Sequence, residues 1–562
     1  DGDLVEVEVK LSGRMMIPRA KVTNVIGNPK SEGAVSMIAI HNLEIPYIFP
    51  ASVLKEAEEA KEVTLKGRED WRDIPLITID PADAKDHDDA VYAEPDPKVN
   101  GGHIVYVAIA DVAAYVRPGT AIDREAYLRG NSVYFPDRVV PMLPERISNE
   151  LGSLKEGANK ASLAVRMVIA PDRRKTSHSF HRVIFRSAAK LSYQQAQAAI
   201  DGQPDDKTGP ILETILKPLW AAYITMAKAR DARGPLDLNM PERKIILDAQ
   251  GMVAEIRVPE RLEAMRLIEE MMIAANVAAA QELEKHHSPL IYRVHDTPSP
   301  EKLMALRDFL GSLNLPFNKA DAVKLADFNR TLVKAKEAGK IEQVSEMVLR
   351  SQAQAEYSPG NYGHFGLNLE RYAHFTSPIR RYADLIVHRA LISALGFGDD
   401  GLSDQEATKL QGIAQHISST ERRAMLAERE TSDRLLAGFL AEKIGATFAG
   451  RISGVTRSGL FVRLAETGAD GFIPASTLGQ DYYRYIEERQ AMVGDRTGET
   501  FGLGDQVSVR LLEAAPVAGA LRFELLSEGN RVTAPHSGRG KRGSSKHRAA
   551  SRNGSPPRKR RK

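Results

Sequence analysis

Five aspartates, Asp80, Asp83, Asp86, Asp88 and Asp89, fall within ten residues of one segment, Thr78-Ile79-Asp80-Pro81-Ala82-Asp83-Ala84-Lys85-Asp86-His87-Asp88-Asp89-Ala90. Two like charges about 4 Å apart cost about 1 kcal/mol in water and about 4 kcal/mol at an effective dielectric of 20. The β-branched run Ile77-Thr78-Ile79 precedes the cluster and an apolar stretch follows it, so it reads as a loop anchored at both ends beside a core. Carboxylates crowded there call for a cation. Oxygen-only donors suit Mg²⁺ or Mn²⁺, or else Ca²⁺. An EF-hand calcium loop needs Gly at its sixth position, and counting from Asp83 that position is Asp88. A solvated acidic turn is the plain alternative. Four carboxylates around two divalent ions come close to charge neutrality, and such a pair suits in-line displacement at phosphorus, one ion activating water and the other stabilising the leaving oxygen.

The elements that must position this loop are spread along 562 residues, enough for three or four domains. Residues 1–50 read as short strands, Leu4–Val9, Ala20–Gly27 and Val35–Ile40, of a small, incomplete β-barrel. A charged helical stretch, Ala51–Leu65, follows. From 66 to 440 strands and helices mix, with a buried strand at Ile104–Ala110 and long helices over Ile211–Arg233, Arg261–His286 and Thr408–Lys443. The first of these has Pro218 as an expected kink. No βαβ alternation and no GxGxxG is present, which argues against a doubly wound nucleotide-binding sheet. Between 441 and 527, Phe448–Ile452, Gly459–Leu464, Gly471–Ile473 and Gln506–Leu511 predict an OB-type barrel.

The overall charge of +3 hides an asymmetry: Arg531–Lys562 holds twelve Lys or Arg and no acid, leaving −9 on the preceding residues. A tail with so few apolar residues, 528–562, is expected to be disordered and to capture polyanions by counterion release. Cysteine is absent, which excludes disulfides, zinc knuckles and thiol nucleophiles within this chain and fits a reducing cytoplasm. No apolar run reaches the ~18 residues of a membrane span. The chain opens on Asp1 without Met or a signal pattern, and an N-terminally truncated protein is expected.

The segment Ile79–Ala90 resembles the signature of the ribonuclease II / ribonuclease R family, the RNB exoribonucleases. A second segment, His364-Phe365-Gly366-Leu367-Asn368-Leu369-Glu370-Arg371-Tyr372-Ala373-His374-Phe375-Thr376-Ser377-Pro378-Ile379-Arg380-Arg381-Tyr382-Ala383-Asp384-Leu385-Ile386-Val387-His388, is similar to the family's second signature. Tyr134-Phe135-Pro136 with Val140-Pro141-Met142-Leu143-Pro144 is a third match. The resemblance covers about 66–440 and implies an RNB α/β catalytic domain. It implies processive 3′→5′ hydrolysis of RNA to nucleoside 5′-monophosphates. Asp80, Asp86, Asp88 and Asp89 would then hold two Mg²⁺ ions, with Mn²⁺ as the substitute, and Asp88 would be the most sensitive. Asp83 lies where the family pattern needs no acid. Arg380 would hold the scissile phosphate, a role its planar fork suits, while Arg381 reads as a surface ion pair. Tyr134 would stack on a base near the 3′ end. Tyr193 and a glutamate of the Glu269-Glu270 pair, with Glu270 favoured, would read the ribose 2′-hydroxyl. His87, His364, His374 and His388 read as structural.

The flanks carry further resemblances. Residues 445–474 look like an S1 RNA-binding domain, in which Phe461 and Phe472 would stack on bases and Arg451, Arg457 and Arg463 face phosphates; core positions for the two rings are the alternative. Residues 1–65 resemble a cold-shock barrel and its linker. The fold expected is thus multidomain α+β: partial cold-shock OB barrel (1–65), RNB domain (66–440), S1 barrel (441–527) and basic tail (528–562). The tail is more typical of the ribonuclease R branch, which implies action on single-stranded RNA and on structured RNA with a 3′ overhang. The alternatives are a ribonuclease II-type enzyme halted by duplexes, or an inactive RNA-binding protein; the latter would be expected to lack the motif aspartates or Arg380. A cytoplasmic monomer without membrane association is expected, with the ribosome or RNA-decay factors as further partners.

Overall fold

The structure is a computed structural model that describes residues 3–12, 17–27, 33–238, 243–318, 320 and 322–531. Its centre is a seven-stranded sheet, in the order 189–192, 77–80, 89–95, 103–110, 159–169, 175–186 and 69–70. The five inner strands pair antiparallel; the two outermost, 189–192 beside 77–80 and 69–70 beside 175–186, pair parallel. Both faces are covered, which explains why His103–Ala110 is apolar almost throughout. Ile77, Ile79, Val91, Val105 and Val107 pack on one side against helices Lys217–Arg233 and Glu263–Lys285. Ala90, Tyr106, Ala108 and Ala110 pack on the other against helices Ala51–Glu59 and Ala121–Arg129. Helix Tyr382–Leu395 contributes to both clusters and is buried nearly all round, Asp384, His388 and Arg389 included.

A buried ion network holds this helix layer to the sheet. Asp111 is fully buried and accepts from Arg68 Nη2 at 2.6 Å and from Arg182 Nε at 2.7 Å. Arg182 reaches on to both oxygens of Asp400, at 2.7 and 2.6 Å. Burial alone would raise the Asp111 pKa, but the two guanidiniums outweigh it and bring it to about 2, below the ordinary 3.8. A carboxyl whose pKa is depressed on folding stabilises above its unfolded pKa and loses that contribution as pH falls through the folded value. The charge of Asp111 therefore contributes about 2 kcal/mol near neutrality. Asp111→Asn should lower the melting temperature most at about pH 7, with the gap to wild type narrowing towards about pH 3.

Helix Asp404–Ala441, 38 residues and about 57 Å long, joins the central sheet's core to the C-terminal barrel. Ser403 and Glu406 form the capping box that starts it. Leu410, Ile413 and Ile417 pack on the sheet-side core, while Leu436, Ala437 and Leu440 enter the barrel core. That barrel is closed, in the order 447–456, 459–464, 470–474, 520–525 and 506–515, as the sequence predicts. A four-stranded sheet of 483–486, 491–494, 499–502 and 530–531 is inserted beside it. The last strand draws residues 530 and 531 out of the expected disordered tail of 528–562, of which 532–562 lies outside the described residues.

At the N-terminal end, Leu4–Ser12 and Ile17–Gly27 form one antiparallel hairpin. The strand expected at Val35–Ile40 is instead part of helix Ala34–Asn42. A six-residue apolar run does not separate helix from strand by periodicity. Ala34, Met37 and Ala39 are helix formers, and packing of Ala39 and Ile40 against Ala424 and Ala427 of the long helix decides the outcome. The partial barrel is therefore a hairpin joined to helices. The expected kink at Pro218 is also displaced: a wide turn at Leu212–Leu216 precedes helix Lys217–Arg233, and Pro218 sits in that helix's first turn, where its missing N–H is harmless. Among the described residues, no helix is long and apolar enough to cross a membrane.

Candidate active site

Asp80 ends one strand, Asp89 begins the next, and the loop between them is pinned from behind. The His87 N–H donates to Ser153 Oγ at 3.1 Å, and the His87 carbonyl accepts from Leu154 N at 3.0 Å. Asp88 O accepts from Ala110 N at 2.8 Å. The buried His87 ring holds Asp80, with Nδ1 2.7 Å from Oδ2. These contacts turn a locally unfavourable run of acids into a fixed array.

The second signature meets the first here, although 291 residues separate them: Ile379 N donates to Asp88 Oδ1 at 3.1 Å. The next residue, Arg380, places Nε 4.0 Å from Asp88 Oδ2. The third segment is stitched to the same turn through Ser132 N to Arg380 O and Tyr382 N to Gly130 O, both 3.0 Å. Gly130 is required there. It ends helix Ala121–Arg129 at φ 73°, and a Cβ on it would lie 2.0 Å from Thr420 Oγ1. The result is a cavity of about 240 Å³ bordered by Asn131, Tyr134, Arg380, Glu421 and Glu428. Tyr134 is 43% exposed, and its N–H donates to Glu428 Oε1 at 2.8 Å. Glu421 and Glu428, seven residues apart on one face of the long helix, are cavity residues the sequence reading passed over; that spacing was the available signal.

The electrostatics are those of an array short of positive charge. Burial raises the Asp88 pKa to about 7, against the pull of Arg380 and the Ile379 N–H and with a further push from Asp86. Asp89 is raised well above the usual carboxylate range by burial, then by Asp80 and Asp88. Among the described residues, no three acidic or imidazole groups are placed close enough together to hold a metal ion. The donor set nonetheless fits a hard cation: oxygen atoms only, Asp88 buried and Asp80, Asp86 and Asp89 partly buried, with Arg380 as the cation acting on both Asp88 and Asp89.

The remaining expected residues divide. Tyr193 joins the aspartates, because the parallel pairing of Ser192 with Asp80 delivers it there. Its pKa is raised by burial and then by Asp89 and Asp80. Glu270 is buried and paired with Arg230 at 3.3 Å, whereas its neighbour Glu269 is exposed and faces Arg261. Phe461 and Phe472 sit opposite each other on adjacent barrel strands, ring centroids 5.1 Å apart, with Phe461 42% exposed. Of the barrel arginines, Arg457 is exposed; Arg451 is paired with Glu342 and Arg463 with Asp470. Arg381 is an ion pair as expected, but with the fully buried Asp384 rather than at the surface. His374 contacts Tyr357 Oη at 2.9 Å and His388 the Phe375 carbonyl at 2.7 Å, contacts within the core.

Residues 68–396 match the RNB domain family and residues 442–524 the S1 RNA binding domain family. Ribonuclease R of Escherichia coli (strain K12) is 39% identical over 521 residues, 90% of this chain, which spans 64% of that relative's length. Two solved structures of Mycoplasma genitalium RNase R are similar. The complex with ribose methylated single-stranded RNA has a TM-score of 0.86 at 30% identity and covers 91% of this chain and 80% of that one. The complex with double-stranded RNA has a TM-score of 0.83 at 28% identity and covers 93% of this chain and 89% of that one.

Proposed function

Because the chain belongs to the RNB family, we propose that it is a 3′→5′ exoribonuclease that degrades RNA processively to nucleoside 5′-monophosphates in the cytoplasm as a monomer. The observation that carries this reading is the contact between the Ile379 N–H and Asp88, which sets Arg380 beside that buried carboxylate. Asp80, Asp86, Asp88 and Asp89 would hold two Mg²⁺ ions, or Mn²⁺ in their place. When bound, such ions supply positive charge against the phosphate and lower the pKa of water.

The chain's own residues do the rest. Arg380, on the wall of the cavity, offers its fork to two non-bridging phosphate oxygens and stabilises the charge that builds on them. The half-exposed ring of Tyr134 stacks on the base next to that phosphate. Tyr193 and Glu270 select ribose by hydrogen bonding its 2′-hydroxyl. The Phe461–Phe472 pair on the barrel grips the trailing strand without regard to sequence. Phe461→Ala should weaken binding of single-stranded RNA by roughly 5- to 100-fold, as read by fluorescence anisotropy, with the melting temperature unchanged.

The direct test is incubation with 5′-labelled oligoadenylate and Mg²⁺. Mononucleotides and a short end product are expected, and EDTA should block their formation. Release of internal fragments, or tight binding without turnover, would reject the reading. A duplex with a 3′ overhang extends the test: digestion into the paired region supports action on structured RNA, and a halt several nucleotides short of it contradicts that part.

A further inference from the structure

Arg380 is exposed enough to meet a phosphate, with 43% of its side chain accessible, and a long side chain in that position has many rotamers. Two contacts restrict it. Its Nη2 donates to Ser377 Oγ at 3.0 Å, and its Nε lies 4.0 Å from Asp88. Ser377 is buried and itself fixed: its carbonyl accepts from Arg380 N at 3.3 Å and Arg381 N at 3.0 Å, and its N–H donates to Asp384 Oδ1 at 2.8 Å. Asp384, in the first turn of helix Tyr382–Leu395, is fully buried and holds Arg381 through both oxygens, at 2.7 and 2.8 Å. The turn carrying Arg380 is thus tied at its first residue and at the residue after Arg380 to one carboxylate on a core helix.

We infer that Ser377 is a positioning residue for Arg380, its hydroxyl setting the guanidinium from one side while Asp384 fixes Ser377 through the backbone. The hydroxyl is the only side-chain acceptor within hydrogen-bond distance of the Arg380 guanidinium among the described residues, so removing it leaves the fork free to rotate away from the cavity. The inference rests on the reading of Arg380 as the phosphate-binding group. A hydrogen bond to a charged group, lost only for the positioned state, corresponds to about a 10- to 100-fold change in rate.

The experiment is single-turnover cleavage of 5′-labelled oligoadenylate by the full chain carrying Ser377→Ala, Ser377→Thr, Arg380→Ala and the double variant Ser377→Ala/Arg380→Ala. Ser377→Ala should lower the maximal rate about 10- to 100-fold with substrate half-saturation within about twofold of wild type. Ser377→Thr, which keeps the hydroxyl, should recover most of the rate. In the Arg380→Ala background, Ser377→Ala should change the rate less than about twofold, because there is no guanidinium left to place. An equal loss in both backgrounds, or a wild-type rate for Ser377→Ala, overturns the inference. An inactive wild-type protein would instead defeat the proposed function itself.

Discussion

Asp88→Asn is expected to reduce cleavage by about 10³-fold or more while RNA binding persists. The amide is nearly isosteric and keeps an oxygen to accept the Ile379 N–H, so the junction of the two signatures survives. What disappears is the negative charge that a divalent cation needs. Binding should hold or tighten, since one charge repelling the RNA phosphates is gone. The variant should also be the more stable protein in EDTA. A carboxyl whose pKa is raised to about 7 on folding costs stability as pH rises from its unfolded value through the folded one. The wild type should therefore melt below Asp88→Asn at about pH 8, and the gap should close towards about pH 4. Filter binding, product analysis and melting curves on the same preparation read all three effects. Cleavage at the wild-type rate would show that Asp88 is not in the reacting array.

Arg380→Ala should lower the maximal rate by about 10²- to 10³-fold with a smaller effect on half-saturation, because the guanidinium matters most when charge accumulates on the phosphate. Arg380→Lys should recover little of it. A lysine retains the charge but not the planar pair of donors, and its ammonium does not reproduce the bond from Nη2 to Ser377. The neighbouring arginine should behave differently. Arg381→Ala leaves the buried Asp384 without its partner, so it should show its loss first as a lower melting temperature. Measuring both rate and melting temperature for the two variants separates the phosphate-binding arginine from the structural one.

Much of the site was legible because its parts are local in sequence. The Asp80–Asp89 cluster is visible as crowded charge between apolar strands, whereas Arg380 was reached only through the resemblance of the second signature. The C-terminal barrel was legible for the same reason: strands 447–456, 459–464 and 470–474 follow one another closely with only short turns between them. What escaped depends on pairing between distant segments. The parallel match of 189–192 with 77–80, which delivers Tyr193 to the carboxylates, leaves no mark in either stretch alone. Arg381 looked like a surface residue because its charge is plain in the sequence, while the buried Asp384 that claims it is ordinary in composition. Val35–Ile40 reads equally well as strand or helix until the small residues of the long helix offer it a surface. The inserted sheet around 483–502 was missed because its strands are four residues each, too short to show alternation.

The central claim is that the loop between residues 80 and 89 is a cation site facing Arg380. Crystals grown with Mn²⁺ and a non-hydrolysable oligonucleotide, measured for manganese anomalous scattering, test it most directly. The account predicts anomalous peaks within about 2.5 Å of carboxylate oxygens of Asp88 and its neighbours, with a phosphate between them and the Arg380 guanidinium. Peaks elsewhere on the protein, with those carboxylates bare while the same protein degrades RNA in Mn²⁺, would contradict it.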